Sequence, residues 1–372
     1  MKTKITYIIS NINKALAYEW IVEEIDQSIF ELSFILLNNG NSFLEDYLIK
    51  SNIKVYRINY ASKKNIPLTV LKIGAFLLKN KTDIVHANLF DANFSGLIAA
   101  KLVGIKKRIY TRHHSTYHHT YFPKAVKWDK LSNFLATDIV AISENVKHVL
   151  IDLENVPRQK ITKIHHGFKI KEFSQKNTLI VDSLTKKYNP ENKFPVIGVI
   201  SRFIELKGVQ YIIPAFRELL NKYPNALLLL FNATGDFSKQ IDNHLTTLPE
   251  NSFKKTTFEN DIVSLYHLFD MFVHVPINNH CEAFGQTYIE SMASGTPLIA
   301  TKSGIGNEIL IDGVNAIVVP YKNGEAIYKA MITILEDDKI KNIIIDNAKR
   351  EVKNEFELAT MITSIKNLYL KS

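Results

Sequence analysis

The stretch Cys281–Thr301, CEAFGQTYIESMASGTPLIAT, places Glu282 and Glu290 eight positions apart, with Gly285 between them. Gly285–Ser294 reads as a helix with Tyr288, Ile289, Met292 and Ala293 on its buried stripe. Gly295 ends that helix, Pro297 forbids its return, and Leu298–Ala300 starts a buried strand. Eight residues of helix span ~12 Å, so these carboxylates are spaced to hold two ends of one extended ligand. They are not spaced to share a proton. Free amides at the helix start between them suit a phosphate. A second set lies upstream, where a strand over Pro195–Phe203 is followed by IELKGV. Arg202 ends that strand and Lys207 precedes Gly208, which opens the next helix. An arginine that can chelate two oxygens beside a mobile ammonium, both facing a helix start, makes a diphosphate clamp. Taken singly, each set reads equally well as solvated charge around a helix end.

The elements that must position these residues alternate regularly. Strands are predicted at Ile5–Ile9, Leu32–Leu36, Lys54–Ile58, Ile84–Ala87, Lys107–Tyr110, Ile139–Ile142 and Lys160–Ile164, with helices at Leu68–Lys79, Asn93–Val103 and Lys124–Ala136. The pattern breaks over the polar segment Ser174–Pro195 and restarts. It continues with a helix at Val209–Tyr223 and strands at Ala226–Phe231, Phe272–Val275, Leu298–Ala300 and Ala316–Val319. Pro214 is expected to kink or loosen the first turns of its helix. Such βα alternation gives parallel, doubly wound sheets. The expectation is two such domains, 1–175 and 176–355, facing across a crevice at the strand ends where ligands bind. Ala326–Leu370 is helical and lysine-rich, and 356–372 forms a terminal helix.

The chain has 372 residues, 46% hydrophobic and 22% charged, which suits a globular protein with two sizeable cores. Its one cysteine, Cys281, forbids an intramolecular disulfide and fits a reducing compartment; no paired base is apparent for a nucleophilic role. No apolar run reaches the ~20 residues of a spanning helix, and the N-terminus lacks signal-peptide features. The expected location is cytoplasmic, with peripheral association at the inner membrane face. Residues 1–176 carry 26 Lys+Arg against 15 Asp+Glu, whereas 177–372 carry 20 against 22. A basic first half calls for an anionic partner, with a membrane surface or a phosphate-bearing acceptor as candidates. No nucleic-acid module is visible, so nucleic acid is not expected as a partner.

The glutamate segment resembles the E-x7-E motif of retaining glycosyltransferases of the GT-B fold, family 4. Phe284, Gly285, Met292, Ala293, Gly295 and Pro297 stand in that family's register, and the resemblance extends over nearly the whole chain. It implies that Glu282 contacts the donor sugar and Glu290 the nucleotide ribose. SRFIELKG resembles the family's diphosphate element, with Ser201 at the usual glycine, and implies that Arg202 and Lys207 bind the donor diphosphate. KSGIGNEIL resembles a further glycine loop. There Gly304 and Glu308 match, Ile305 replaces a second glycine, and Asp312–Gly313 supplies the following turn. The donor-binding set is therefore Arg202, Lys207, Gly285, Glu290, Gly304 and Glu308.

On the acceptor side, the loop Ser10–Lys14 lacks glycine, but Asn11 and Asn13 tolerate left-handed backbone and can line the cleft. Thr111–Tyr121, TRHHSTYHHTY, resembles the family's T-x-H element, which places His113 near the reacting centre. His114 and His86 join Asn11 and Asn13 as acceptor-side candidates, although His86 reads equally as a satisfied strand-end histidine. His114 and His118 have i, i+4 spacing, but no carboxylate or cysteine stands near them in sequence, so no metal is expected. In IHHGFK, His166 replaces a common asparagine and Gly167 keeps the turn.

The resulting expectation is a retaining, metal-independent hexosyltransferase with Glu282, His113, Arg202 and Lys207 at the reacting centre and no cofactor. The donor is a nucleotide-diphosphate sugar. The acceptor is a glycan or lipid-linked intermediate of bacterial surface polysaccharide synthesis. A nucleotide-sugar epimerase of the same fold, or a non-catalytic sugar- or lipid-binding module, are the alternatives. The resemblance also implies that the last helix returns to the N-terminal domain.

Overall fold

A computed structural model describes residues 2–60 and 65–371. The chain divides into two compact units, Met1–Phe168 with Leu358–Ser372, and Lys169–Glu357.

The first unit alternates β1 (Thr3–Ser10), α1 (Leu16–Glu24), β2 (Phe30–Asn38), α2 (Phe43–Lys50), β3 (Lys54–Asn59), α3 (Ile66–Asn80) and β4 (Ile84–Asn88). It continues with α4 (Phe90–Leu102), β5 (Lys107–Arg112), α5 (Tyr117–Tyr121), α6 (Val126–Leu135), β6 (Asp138–Ala141), α7 (Glu144–His148) and β7 (Ile161–Lys163). The second unit opens with α8 (Ile170–Ser174), α9 (Thr178–Tyr188), β8 (Val196–Ile200), α10 (Val209–Lys222), β9 (Leu227–Phe231), α11 (Ser238–Leu245) and β10 (Phe253–Thr256). Then come α12 (Ile262–Leu265), β11 (Met271–His274), α13 (Gln286–Ser294), β12 (Leu298–Ala300), α14 (Gly306–Ile309) and β13 (Ile317–Val318). The helices α15 (Gly324–Glu336) and α16 (Asp338–Glu355) close it, and α17 (Leu358–Leu370) ends the chain in the first unit.

Both sheets are parallel throughout, ordered β3-β2-β1-β4-β5-β6-β7 and β10-β9-β8-β11-β12-β13. In each, the chain reverses direction across the sheet once, between β1 and β4 and between β8 and β11. At such a point the loops leaving neighbouring strand ends diverge, and a ligand can enter. Strands buried on both faces must be apolar throughout. Leu227–Phe231 is LLLLF with every side chain buried, and Ile8, Ile9 and Phe34–Leu37 play that part in the other sheet. Around β9, the helices α10 and α15 supply Ile213, Phe216, Leu219, Ile327 and Met331 to one continuous core.

α10 runs as one helix through Pro214, whose missing N–H removes a bond near the helix start. One detail differs from the sequence reading. The boundary between units falls after Phe168 rather than at 175, because α8 packs against α13 of the second sheet. α17 is tied to the first unit at both ends. Leu358 donates its N–H to the Phe168 carbonyl at 3.0 Å. The buried Tyr369 hydroxyl lies 2.5 Å from the Tyr7 hydroxyl and 2.6 Å from His86 Nδ1.

Replacing Tyr369 with Phe strands two buried polar groups. A stability loss of about 1–3 kcal/mol is expected, read as a lower Tm in a thermal melt. An unchanged Tm would show that α17 is held by its apolar contacts alone.

Candidate functional site

The second unit carries Arg202, Lys207 and Glu282 on loops that follow β8 and β11, at the carboxyl edge of its sheet beside the switch between those strands. β8 ends at Ile200, and the loop after it carries Arg202 and a single 3-10 turn, Glu205–Lys207. Gly208 closes that turn with φ +72°, and a Cβ there would lie 1.9 Å from the Val275 carbonyl oxygen. Only glycine lets this loop settle on the end of β11. Ile277 N–H then donates to the Leu206 carbonyl at 3.0 Å, fixing the two loops together.

Glu282 follows β11 and is 7% exposed. Its N–H donates to the Ser303 hydroxyl at 3.0 Å. Its Oε1 accepts from Lys207 Nζ at 2.5 Å and lies 2.9 Å from Nε2 of the buried His274. Burial alone would raise this carboxyl, but the Lys207 ammonium and the His274 contact outweigh it and hold the group ionised far below the usual carboxylate range. His274 is itself pushed down by burial, with Glu282 opposing. Gly304, at φ +55°, brings the loop after β12 against Glu282: a Cβ there would lie 2.6 Å from the Phe284 carbonyl oxygen and 2.8 Å from Glu282 Cβ. Ile305 occupies the place of a second glycine because its side chain is wholly buried, while Glu308 is exposed on α14.

Glu290 lies in the second turn of α13, as the sequence implies, but it is not a solvated helix residue. The buried Tyr266 donates its hydroxyl to Glu290 Oε2 at 2.6 Å. Burial pushes the carboxyl up to about 7, with the Tyr266 bond opposing. The two glutamates of the motif therefore sit in opposite electrostatic environments, one held charged and one held near neutrality. Gly285 caps α13 at φ +92°, where any Cβ would meet the Tyr288 ring at 2.6 Å. Arg202 is exposed, and its guanidinium has no ion-pair partner among the described residues. Burial pushes the Cys281 thiol up, away from thiolate chemistry.

The first unit presents a different edge. Asn11 takes φ +53° as its residue type allows and donates to Asp91 Oδ2 at 3.2 Å. The Asn13 side-chain oxygen accepts from Phe43 N–H at 3.3 Å, and both asparagines are exposed. His113, past the end of β5, lies 3.0 Å from Asn88 Oδ1 and stacks on His166 with ring centroids 5.6 Å apart. Burial and then the neighbouring His166 keep His113 well below the ordinary imidazole value, so it is neutral at pH 7.

Two acceptor-side expectations are corrected. His86 is buried with both ring nitrogens engaged, by Tyr369 and by the Thr111 hydroxyl at 2.8 Å, so it braces the core. His114 turns onto Asp129, 3.2 Å away, instead of lining an open edge. The reason is a buried arginine. Arg112, fully buried, lies 3.0 Å from Asp129 and 2.5 Å from Glu154, and His118 and His119 complete the cluster on those carboxylates.

The expectation that no carboxylate stands near these histidines is corrected too. α6 brings Asp129 in, and its carboxylate with His114 Nε2 and His118 Nδ1 falls within 4.8 Å, a spacing that could hold a cation. The arrangement is already closed, however. Arg112 approaches Oδ1, His118 holds Oδ2 at 2.7 Å, and the guanidinium charge opposes a second cation.

His274, Tyr266 and Ser303 complete the site and were not singled out from the sequence. His274 had a usable signal, a lone polar residue at the carboxyl end of the apolar strand MFVH, just ahead of the glutamate motif. Tyr266 and Ser303 had none.

Residues 181–351 match the model of glycosyl transferases group 1, and residues 21–172 match that of Glycosyltransferase Family 4. With the two parallel α/β units, these matches make the chain a glycosyltransferase of the GT-B fold. Among its relatives, the capsular polysaccharide biosynthesis glycosyltransferase CapM of Staphylococcus aureus is 26% identical over 310 residues, covering 81% of this chain and 80% of that protein. The UDP-Gal:alpha-D-GlcNAc-diphosphoundecaprenol alpha-1,3-galactosyltransferase of Escherichia coli is 23% identical over 92% of this chain and 89% of its own length. The solved structure of Anabaena HepE in complex with UDP and glucose superposes with a TM-score of 0.84 at 21% identity, covering both chains completely.

Because Glu290 is harder to ionise when folded, it contributes stability at low pH that is lost as pH rises from its unfolded value near 4.5 through about 7. Glu290→Gln should therefore gain on the wild type over that window, by about 1–3 kcal/mol at pH 8, seen as a Tm difference that grows with pH. A difference that is flat with pH would contradict a Glu290 carboxyl that is harder to ionise in the folded chain.

Proposed function

We propose that this chain is a retaining, metal-independent glycosyltransferase of family 4 that moves a hexosyl group from a nucleotide-diphosphate sugar. The acceptor is a glycan or lipid-linked intermediate of bacterial surface polysaccharide synthesis. The observation that carries this reading is the contact of Lys207 and His274 with the ionised Glu282 at the switch point of the second sheet, beside the unpaired Arg202. Relatives named for capsular polysaccharide biosynthesis and for a diphosphoundecaprenol-linked acceptor support the acceptor class. The UDP in the HepE structure and the UDP-Gal of the Escherichia coli enzyme favour UDP as the donor base.

In this reading, Arg202 and Lys207 meet the charge that develops on the diphosphate as it leaves. Fixed cations act most strongly there, because they need no reorganisation as the charge forms. Glu282, kept ionised by its neighbours, accepts hydrogen bonds from the sugar hydroxyls, and Glu290 accepts from the ribose. The C1–O bond to phosphate breaks, and the acceptor oxygen bonds to C1 on the same face. The acceptor's proton passes to the departing phosphate oxygen. Retention rests on the family resemblance and on carboxylates held in separate environments, which disfavour a paired-carboxylate mechanism. His113, neutral and anchored on Asn88, is the first-unit residue assigned to the reaction.

Thermal shift against UDP-, GDP-, ADP- and CMP-sugars, with and without chelator, should give a rise selective for a UDP-hexose and unchanged by chelation. No shift with any of them would favour a binding module. Glu282→Ala and Lys207→Ala should each slow transfer by at least about 100-fold. Glu282→Gln, which keeps the packing and an acceptor oxygen, separates loss of charge from loss of fold. Wild-type rates in all three variants would remove the assignment.

A further inference from the structure

One face of the first sheet is covered by α3, α4 and α6, because the crossovers β3→β4, β4→β5 and β5→β6 all move the same way across the sheet. α3 packs on α4 and α4 on α6. The outward surface of these helices is unusual for a soluble protein. On α3, Leu71 and Leu78 are 69% and 60% exposed and lie two turns apart on one side of the helix. At the ends of α4 and α6, Leu102 and Phe134 are 73% and 78% exposed. Lysines are interleaved with them. Lys72 and Lys79 follow the two leucines, Lys101 precedes Leu102, and Lys127 and Lys130 share a helical stripe with Phe134. All five lysines are exposed, and none has a salt-bridge partner among the described residues.

The charge is one-sided. Between Leu68 and Phe134 there are nine lysines and three aspartates, with no glutamate. Each aspartate is engaged away from those lysines: Asp83 by the Lys4 N–H, Asp91 by Asn11, and Asp129 by Arg112. The two arginines of the segment turn inward, Arg108 onto the Leu135 carbonyl and Arg112 into its buried cluster.

We propose that this face docks on a bilayer bearing anionic headgroups. The lysines meet lipid phosphates while Leu71, Leu78, Leu102 and Phe134 enter the boundary between headgroups and acyl chains. Large apolar side chains among lysines without salt-bridge partners are what an amphipathic interfacial surface requires. A nucleic acid would call for outward arginines beside its stacking aromatics, and although Trp128 and Phe134 are exposed, both arginines here are turned onto a carbonyl and buried carboxylates. No helix among the described residues is long and apolar enough to cross a bilayer, so the contact is made in the headgroup plane. The proposal does not depend on the transfer reaction, since it concerns a surface built from side chains outside the donor site.

The test is flotation of the full chain with vesicles of phosphatidylcholine alone, and of phosphatidylcholine mixed with phosphatidylglycerol, with no nucleotide sugar present. The expected result is binding to the mixed vesicles only, weakened by added salt over a Debye length of about 8–10 Å. Lys127→Ala and Lys130→Ala should each weaken it about fivefold. Leu71→Ser with Phe134→Ser should weaken it further while leaving the Tm at the wild-type value, because both side chains are exposed. Failure to float, equal flotation with neutral vesicles, or variants that bind like wild type would overturn the proposal. So would preferential retention of single-stranded RNA over vesicles.

Discussion

A buried carboxylate must be compensated, and the way Glu282 meets that requirement organises the second unit. Its partners come from two different strand ends: Lys207 from the loop after β8, and His274 from β11 itself. The backbone adds a third tie, because the Glu282 N–H reaches Ser303 beyond β12. Removing Lys207 would strand the Glu282 charge, and removing His274 or Ser303 would leave a buried polar group without its partner, at about 1–3 kcal/mol for such a group. The loops at this edge are thus held by electrostatics as well as by backbone fit. The glycines follow from the same closeness. Gly208 and Gly304 stand where two loops approach so tightly that a single methyl group would collide with a carbonyl.

The two units share a topology and use it differently. At the switch point of the second sheet the groups are charged: an exposed arginine, a lysine and an ionised glutamate. At that of the first sheet they are chiefly exposed asparagine amides, with Asn11 bonded to the Asp91 carboxylate, and the neighbouring end of β5 carries a histidine kept neutral by burial. The first unit does contain a dense group of charges close by, Arg112 with Asp129 and Glu154, but it is closed on itself. His114, His118 and His119 serve that ion-pair cluster. A histidine-rich loop looks like chemistry in one dimension, and much of it here is structure.

The same contrast appears between the glutamates of the motif. They are identical in type, and their separation along the chain is fixed. Their protonation differs because one lies against an ammonium and the other against a phenol in an apolar setting. One carboxyl raised toward neutrality and another held ionised give the motif two distinct responses to pH.

Hydrophobic periodicity with glycine and proline placement was enough to read the two parallel α/β sheets and most strand positions within a residue or two, and motif spacing with the family resemblance singled out Arg202, Lys207, Glu282 and Glu290 as candidates. These are local properties: a strand buried on both faces has to be written as LLLLF, and a helix that stops at Gly295 and Pro297 has to stop there. The sequence by itself therefore determined the elements and the types of charge at their ends. Tertiary structure alone decided which of those charges meet. Asp129 reaches His114 and His118 only because α6 packs beside β5, Tyr369 reaches His86 only because α17 returns to the first unit, and His274 and Tyr266 become partners of the motif only once β11 and the 3-10 turn after α12, Tyr266–Leu268, are folded beside α13. Pairings across tens or hundreds of residues are set by which strands become neighbours. No local pattern records that, because the same amphipathic rules would be satisfied by many other neighbours.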